Sequence, residues 1–520
     1  MPDGLPTENE KGVPKAPAAS PDGEKSVSET LLIQDCGILD SALADDIVEG
    51  RDILISGDRI AAVEPTGNLK GDRIVSGRDR LVLPGLINAH THSAENYLKG
   101  LMDRRPLEMW LPCIFGTAGV YSPRDVYLSC MIGAIEMLKT GATSVIDHCW
   151  MSPGISPDGL DAAMEAYRDA GIRACLAPLV SDTDYVDRYA GERGHPVGDT
   201  FFGKRFERAR PWEETLDHLR GFFAKWDRAE GGRLRCMTGP AGVQWCGERL
   251  LEDCWELSRS HQAGVHLHIN ETFIQDWANR KRFGKSAIAF LDGAGLLGPD
   301  VSMPHSLWVN DADFDLIASA GAVPVHNPAA NTKMGSGLMS LRKMLDRGIP
   351  VAVGTDGAAS SDHQVLFEAV RMAAYIHNSG EPDHRRHIDA REAIAMATTS
   401  GAAAMMASGE LGEIKPGALA DLALLDRRSL PWVPTNDPIR NLVYCEGGRS
   451  VHTTLVAGRV VVDDGKILTV DEGEIVSELL EAVADRGQAE WPGCAERDRT
   501  VAVYERFCDD MAGLRPAGER

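Results

Sequence analysis

Four places along this chain end an apolar run in an imidazole or a carboxylate. "VLPGLINAHTH" stops at His90 and His92. "GVHLHINET" carries His266 and His268, with Glu271 three residues on. "VSMPH" ends in His305 and "IPVAVGTD" in Asp356. Side chains two positions apart on an extended strand project to the same side, so His90 and His92 form a pair. Neutral imidazole with carboxylate is the donor set of Zn²⁺, Fe²⁺ or another borderline divalent ion. Such an ion lowers the pKa of a bound water toward neutrality, and a nearby group must then move the proton. Glu271 and His305 are available for that. Each residue alone has a plainer reading. H-x-H is a weak signal, Glu271 suits a helix start, and Asp356 suits an Asx turn. His266 stays open: it shares the H-x-H spacing, yet it also reads as a residue turned to the other side of its strand. What points to a metal site is the joint pattern at the ends of successive strands. Thr91, between His90 and His92, faces away and needs no catalytic role.

The elements that would position these residues follow from periodicity. Between about 86 and 405, short apolar runs alternate with helical patterns. The runs include "TSVIDHCW", "IRACLAP", "LRCMTGP", "GVHLHIN", "VSMPHSL", "AVPVHN" and "IPVAVGTD". With the strand before His90 there are eight candidates. Repeated β-α units predict a parallel sheet, and eight predict a (β/α)₈ TIM-type barrel, whose chemistry sits where strands end. A doubly wound open sheet is the alternative, but no G-x-G-x-x-G follows an early strand. Residues 27–85 and 406–472 read instead as short strands separated by turns. They are expected to build one composite β-sandwich domain from both ends of the chain. Residues 1–26 are rich in Pro, Gly, Glu, Lys and Ser and predict a disordered tail without an apolar signal core. Residues 473–520 predict an acidic helical extension, packed on the outside or on a neighbouring subunit. The stretch 181–212 is long for a βα loop, and reads as a lid, a subunit contact or an ordinary surface loop.

Composition narrows the class. The 520 residues carry a net charge of −23. That argues against nucleic acid or anionic membrane partners, which attract basic patches. No apolar run reaches the ~18 residues that span a bilayer. Eleven cysteines are scattered, with no C-x-x-C, and read as reduced buried thiols. A cytoplasmic protein is expected, assembled as a homodimer or larger homo-oligomer.

"LPGLINAHTH", "HLHINET", "PHSLW", "VHNPAANTKMGSG" and "VGTDGAASSD" together resemble the amidohydrolase superfamily. The resemblance is to its single-metal aminohydrolases: the methylthioadenosine/adenosylhomocysteine deaminases, guanine deaminases and triazine hydrolases. It runs from about residue 27 to 470. It implies that His90, His92, His268 and Asp356 ligate one divalent metal, zinc with iron as the alternative. It implies Glu271 as proton shuttle, with His266 outside the ligand set. His305 would bond the activated water or the substrate, and Asp356 would help accept a proton. Binuclear branches use a lysine on the fourth strand; "LRCMTGPAGVQWCG" offers none, which supports one metal. Deaminases usually carry a histidine near that Pro, where Gln244 and Trp245 stand instead as candidate substrate-binding residues. The implied reaction is hydrolytic deamination of an amino-heterocycle or amidine-like carbon. Amide or urea hydrolysis and triazine-type dechlorination are the alternatives on the same scaffold, and an inactive scaffold the remaining one.

Overall fold

The computed structural model describes residues 29–39, 47–118, 121–151, 154–197, 211–486 and 494–515. The expected tail, 1–26, and residues 198–210 of the long loop lie outside them. The first strands are β1 (Thr30–Ile38), β2 (Val48–Ser56), β3 (Arg59–Pro65), β4 (Arg73–Ser76) and β5 (Arg80–Pro84). The middle supplies β6 (Leu86–Thr91), β7 (Ala142–Asp147), β8 (Arg173–Leu176), β9 (Leu179–Val180) and β10 (Leu234–Cys236). It continues with β11 (Gly239–Pro240), β12 (Val265–His266), β13 (Val301–Pro304), β14 (Val323–His326) and β15 (Ala352–Val353). Near the end come β16 (Leu422–Asp426), β17 (Val451–Val456), β18 (Arg459–Asp463) and β19 (Lys466–Ile467).

The two terminal sets meet. β5 pairs antiparallel with β16, Pro84 opposite Leu422 and Arg80 opposite Asp426. The sheet runs β19-β18-β17-β16-β5-β1-β2-β3, with β4 beside β1. Both ends of the chain thus build one nine-stranded sheet. The sheet is mixed: β1 runs parallel to β4 along its first half and to β5 at its end. "LVYC", expected as a strand, is a helical turn, Asn441–Cys445. Asp437 caps the turn Pro438–Arg440 immediately before it, so the chain enters the segment already coiled.

In the middle, β6-β7-β8-β10 form a four-stranded parallel sheet, and β12-β13-β14-β15 form another. Every residue of β6, β7 and β8 is buried, as expected of parallel strands covered on both faces. Backbone bonds on both sides join the two sheets. His266 N donates to Thr238 O at 3.0 Å on one side, and Asp356 N donates to His90 O at 2.9 Å on the other. The helix Pro123–Lys139 illustrates how sequence sets an element's ends. Ser122 and Asp125 form a capping box with Pro123 in the first turn, and Gly141, at φ +86°, releases the chain into β7. Buried Arg173 in β8 is matched by Asp421, Nε to Oδ2 at 2.7 Å and Nη2 to Oδ1 at 3.0 Å. This bidentate pair ties the parallel strands to the terminal sheet.

Two helices, Glu472–Arg486 and Cys494–Ala512, follow β19. Tyr504, Phe507 and Met511 are fully buried and share one apolar cluster with Tyr185, Tyr189 and Ile274. The second helix therefore packs on its own chain, over segments that border the pocket described next. Among the described residues, no helix is long and apolar enough to cross a membrane.

Candidate active site

Strand ends bring the predicted residues together. One ligand atom each from His90, His92 and His268 lies within 4.8 Å of the others, and the same holds for His90, His305 and Asp356. The imidazole hydrogen bonds define which nitrogens face the centre. His92 Nδ1 donates to His148 O at 2.6 Å, and His268 Nδ1 donates to Ala241 O at 2.7 Å. This turns both Nε2 atoms toward the centre, where they stand 3.3 Å apart. His90 Nε2 is buried without a hydrogen-bond partner. Asp356 Oδ1 lies 3.6 Å from His90 Nε2 and 3.7 Å from His92 Nε2. Imidazole nitrogens converging beside a carboxylate are a donor set that a divalent cation satisfies.

The residues behind this cluster hold it in place. His90 Nδ1 meets His266 Nε2 at 2.8 Å, and His266 Nδ1 meets Ser302 Oγ at 2.6 Å. His266 thus faces inward and orients His90 from behind. Asp356 and His305 both sit at left-handed φ, +67° and +71°, a strain of about 1–3 kcal/mol each for non-glycine residues. Gln364 Nε2 donates to Asp356 O at 3.1 Å, and Thr91 Oγ1 lies 3.1 Å from the same oxygen. Thr91 faces away from the histidines, as expected, and buttresses the loop that carries Asp356.

Beyond the histidine cluster opens a pocket with Trp110, Trp150, Trp245, Leu107 and Met334 among its walls. Glu271 and His305 line it together, His305 Nε2 lying 3.6 Å from Glu271 Oε2 and 3.8 Å from Asp356 Oδ2. Asn331 Oδ1 accepts from His305 Nδ1 at 2.9 Å. Glu271 Oε1 accepts from Ser336 Oγ at 3.5 Å, and its backbone N donates to Gln275 Oε1 at 2.8 Å. Trp245 lines the pocket, but Gln244 turns away and accepts from Asn279 Nδ2 at 3.2 Å. The pair lies in the tight turn Val243–Trp245, where successive side chains point about a third of a circle apart. Ala241, not a polar residue, meets the pocket from this segment.

Burial sets the protonation of the cluster. It pushes the Glu271 carboxyl well above its ordinary value, helped by the charges of Asp356 and Glu108. It holds His90, His266 and His268 well below theirs, with neighbouring imidazoles adding to the effect. His148 falls to about 3 and His377 to about 4 for the same reason. In the unfolded chain these rings protonate near pH 6.5. Between pH 6.5 and about 4 the unfolded state therefore binds more protons, and stability falls as pH falls. The unfolding free energy of the metal-free protein, read from urea titrations, should drop across that window by about 1.4 kcal/mol per pH unit for each histidine held neutral, and the urea midpoint with it. A flat midpoint would show that the rings protonate without unfolding.

The sequence reading passed over three participants. His148 ends β7 in "VIDHCW", stacks on His92 at 5.7 Å between centroids, and has a buried Nδ1 without a hydrogen-bond partner. Glu95 enters the pocket from the short helical turn Ser93–Leu98 and Trp150 from a loop. A histidine one step past a strand end was the available signal for His148. Neither a short turn nor a loop carries a period that could mark the other two.

The sequence profile of the amidohydrolase family matches residues 81–461. The 5'-deoxyadenosine deaminase of Methanosarcina mazei is 31% identical over 443 residues, 85% of this chain and 94% of that protein. The 5-methylthioadenosine/S-adenosylhomocysteine deaminase of Thermococcus kodakarensis is 32% identical over 80% of this chain and 90% of its own length. The crystal structure of an atrazine chlorohydrolase from Arthrobacter aurescens, complexed with zinc, superposes with a TM-score of 0.78. It is 26% identical, over 87% of this chain and all of that one.

Proposed function

Because this chain belongs to the amidohydrolase family, we propose that it deaminates a nitrogen-rich small molecule by hydrolysis at an amidine-like ring carbon. It is a hydrolase of carbon–nitrogen bonds other than peptide bonds. The observation that carries the proposal is the convergence of three imidazole nitrogens and Asp356 beside Glu271. His90, His92, His268 and Asp356 would hold one divalent ion, zinc in this reading and iron as the alternative. Such an ion supplies Lewis acidity, which lowers the pKa of water and stabilises developing negative charge. Glu271 takes the proton from the attacking water and delivers it to the leaving nitrogen. Asp356 shares the first proton transfer. His305, its ring fixed by Asn331, steadies charge on the oxygen of the adduct. Trp245 and the other apolar walls exclude water and stack on a flat ring.

The same reading covers the architecture. The bonds between the two parallel sheets support one (β/α)₈ barrel over residues 86–405. The shared terminal sheet supports a composite β domain from 27–85 and 406–472, with 473–520 as a helical extension. A homodimer or larger homo-oligomer belongs to this reading as well.

The test is a product screen of the metal-loaded protein on amino-heterocycles, amides, ureas and chlorotriazines. Ammonia released in step with a hydroxylated ring supports deamination. A larger amine with CO₂, or chloride, as the only product would overturn it. The likeness to a chlorohydrolase is the reason to include the chlorotriazines.

A further inference from the structure

Glu95 has no part in the chemistry above, yet it lines the same pocket at 1% exposure. Its Oε1 accepts from Trp150 Nε1 at 3.2 Å and its Oε2 from Ala359 N at 3.2 Å. A carboxylate has about four acceptor directions, so two remain unused. Among the described residues, no lysine or arginine pairs with it, and none lines the pocket. The pocket instead gathers three carboxyl groups: Glu95, Glu271 and Asp356. The backbone is cut to fit this one. A Cβ on Gly357, next to Asp356, would lie 2.0 Å from Glu95 Oε2. Glu95 is therefore held in the pocket by the indole N–H edge of Trp150 and the backbone beside Asp356.

A buried carboxylate without a cation is costly, and a ligand that donates to it offsets that cost. We propose that Glu95 is a specificity-determining residue that selects planar substrates with an amidine-like N–H edge over isosteres that lack those donors. The inference rests on the deaminase reading and sharpens it. Hydrolysis turns C(NH₂)=N into C(=O)–NH, which replaces the amino donor by a carbonyl acceptor and leaves one ring N–H, so the contact favours substrate over product. Trp110 and Trp150 add a stacking surface for a planar cation.

Benzamidine and benzamide are the probes, titrated calorimetrically into the zinc-loaded protein. Benzamidine should bind about tenfold or more tightly than benzamide. Glu95→Gln should erase most of that preference while zinc content and melting temperature stay near wild type. Equal affinities for the two probes in the wild-type protein would overturn the proposal without need of a variant. So would a preference that survives Glu95→Gln. The two readings separate cleanly. A Glu95-dependent preference without ammonia release from any amine would sink the deaminase reading alone. Ammonia release without that preference would sink this one alone.

Discussion

His268→Ala is expected to leave the purified protein with well under one metal per chain and no measurable turnover. The substitution removes one of two imidazoles whose Nε2 atoms stand 3.3 Å apart. His148, the nearest ring, spends its Nε2 on Gly239 O at 3.0 Å and groups with His90 and His266 rather than with His92. His266→Ala is the matched control. His266 touches His90, not the centre, so that variant should keep its metal with affinity lowered about 10–100-fold, as for other outer partners of ligating histidines. Metal content by plasma emission, with chelator competition for affinity, reads both. Equal and complete loss in the two variants would put His266 among the ligands and overturn the assignment.

Glu271→Gln should lower kcat by about 10²–10⁴-fold while the metal stays bound. Glutamine keeps the shape and can still accept from Ser336. It cannot carry a proton between an attacking water and a leaving nitrogen. Because Glu271 sits in the pocket and not among the ligand triads, the loss should fall on kcat rather than on metal content. A kcat within about threefold of wild type would remove Glu271 from the mechanism. Melting curves of both proteins separate that outcome from misfolding.

The clustering of these residues was legible because they obey two short-range rules. Strand alternation placed His90 with His92, and apolar runs of a few residues marked where strands stop. His268, His305 and Asp356 followed from those stops. The pairing of the chain's two ends was legible too, as matching turn-rich β segments. The form of the resulting sheet was not, since nothing local tells β1 to run parallel with β4 and β5. His266 shows the limit of periodicity. Its spacing left its direction open, and a contact with His90, 176 positions away, settles it. Gln244 and Trp245 are neighbours in sequence, yet a single tight turn sends only one into the pocket. Glu95 and Trp150 depend on turn and loop paths that the packed strands dictate from outside the segment.

The junction of β5 with β16 has a consequence for synthesis. β16 begins 338 residues after β5 ends. A ribosome adding 5–20 residues per second needs roughly 17–70 s to deliver that partner. Throughout that interval the nascent chain carries an unclosed apolar strand edge, Leu81 to Pro84, that is fully buried in the finished protein. An unpaired edge of this kind is a template for pairing with other chains. Yield of native protein should therefore depend on how crowded and how warm the chain is while it waits, well before stability of the finished fold matters.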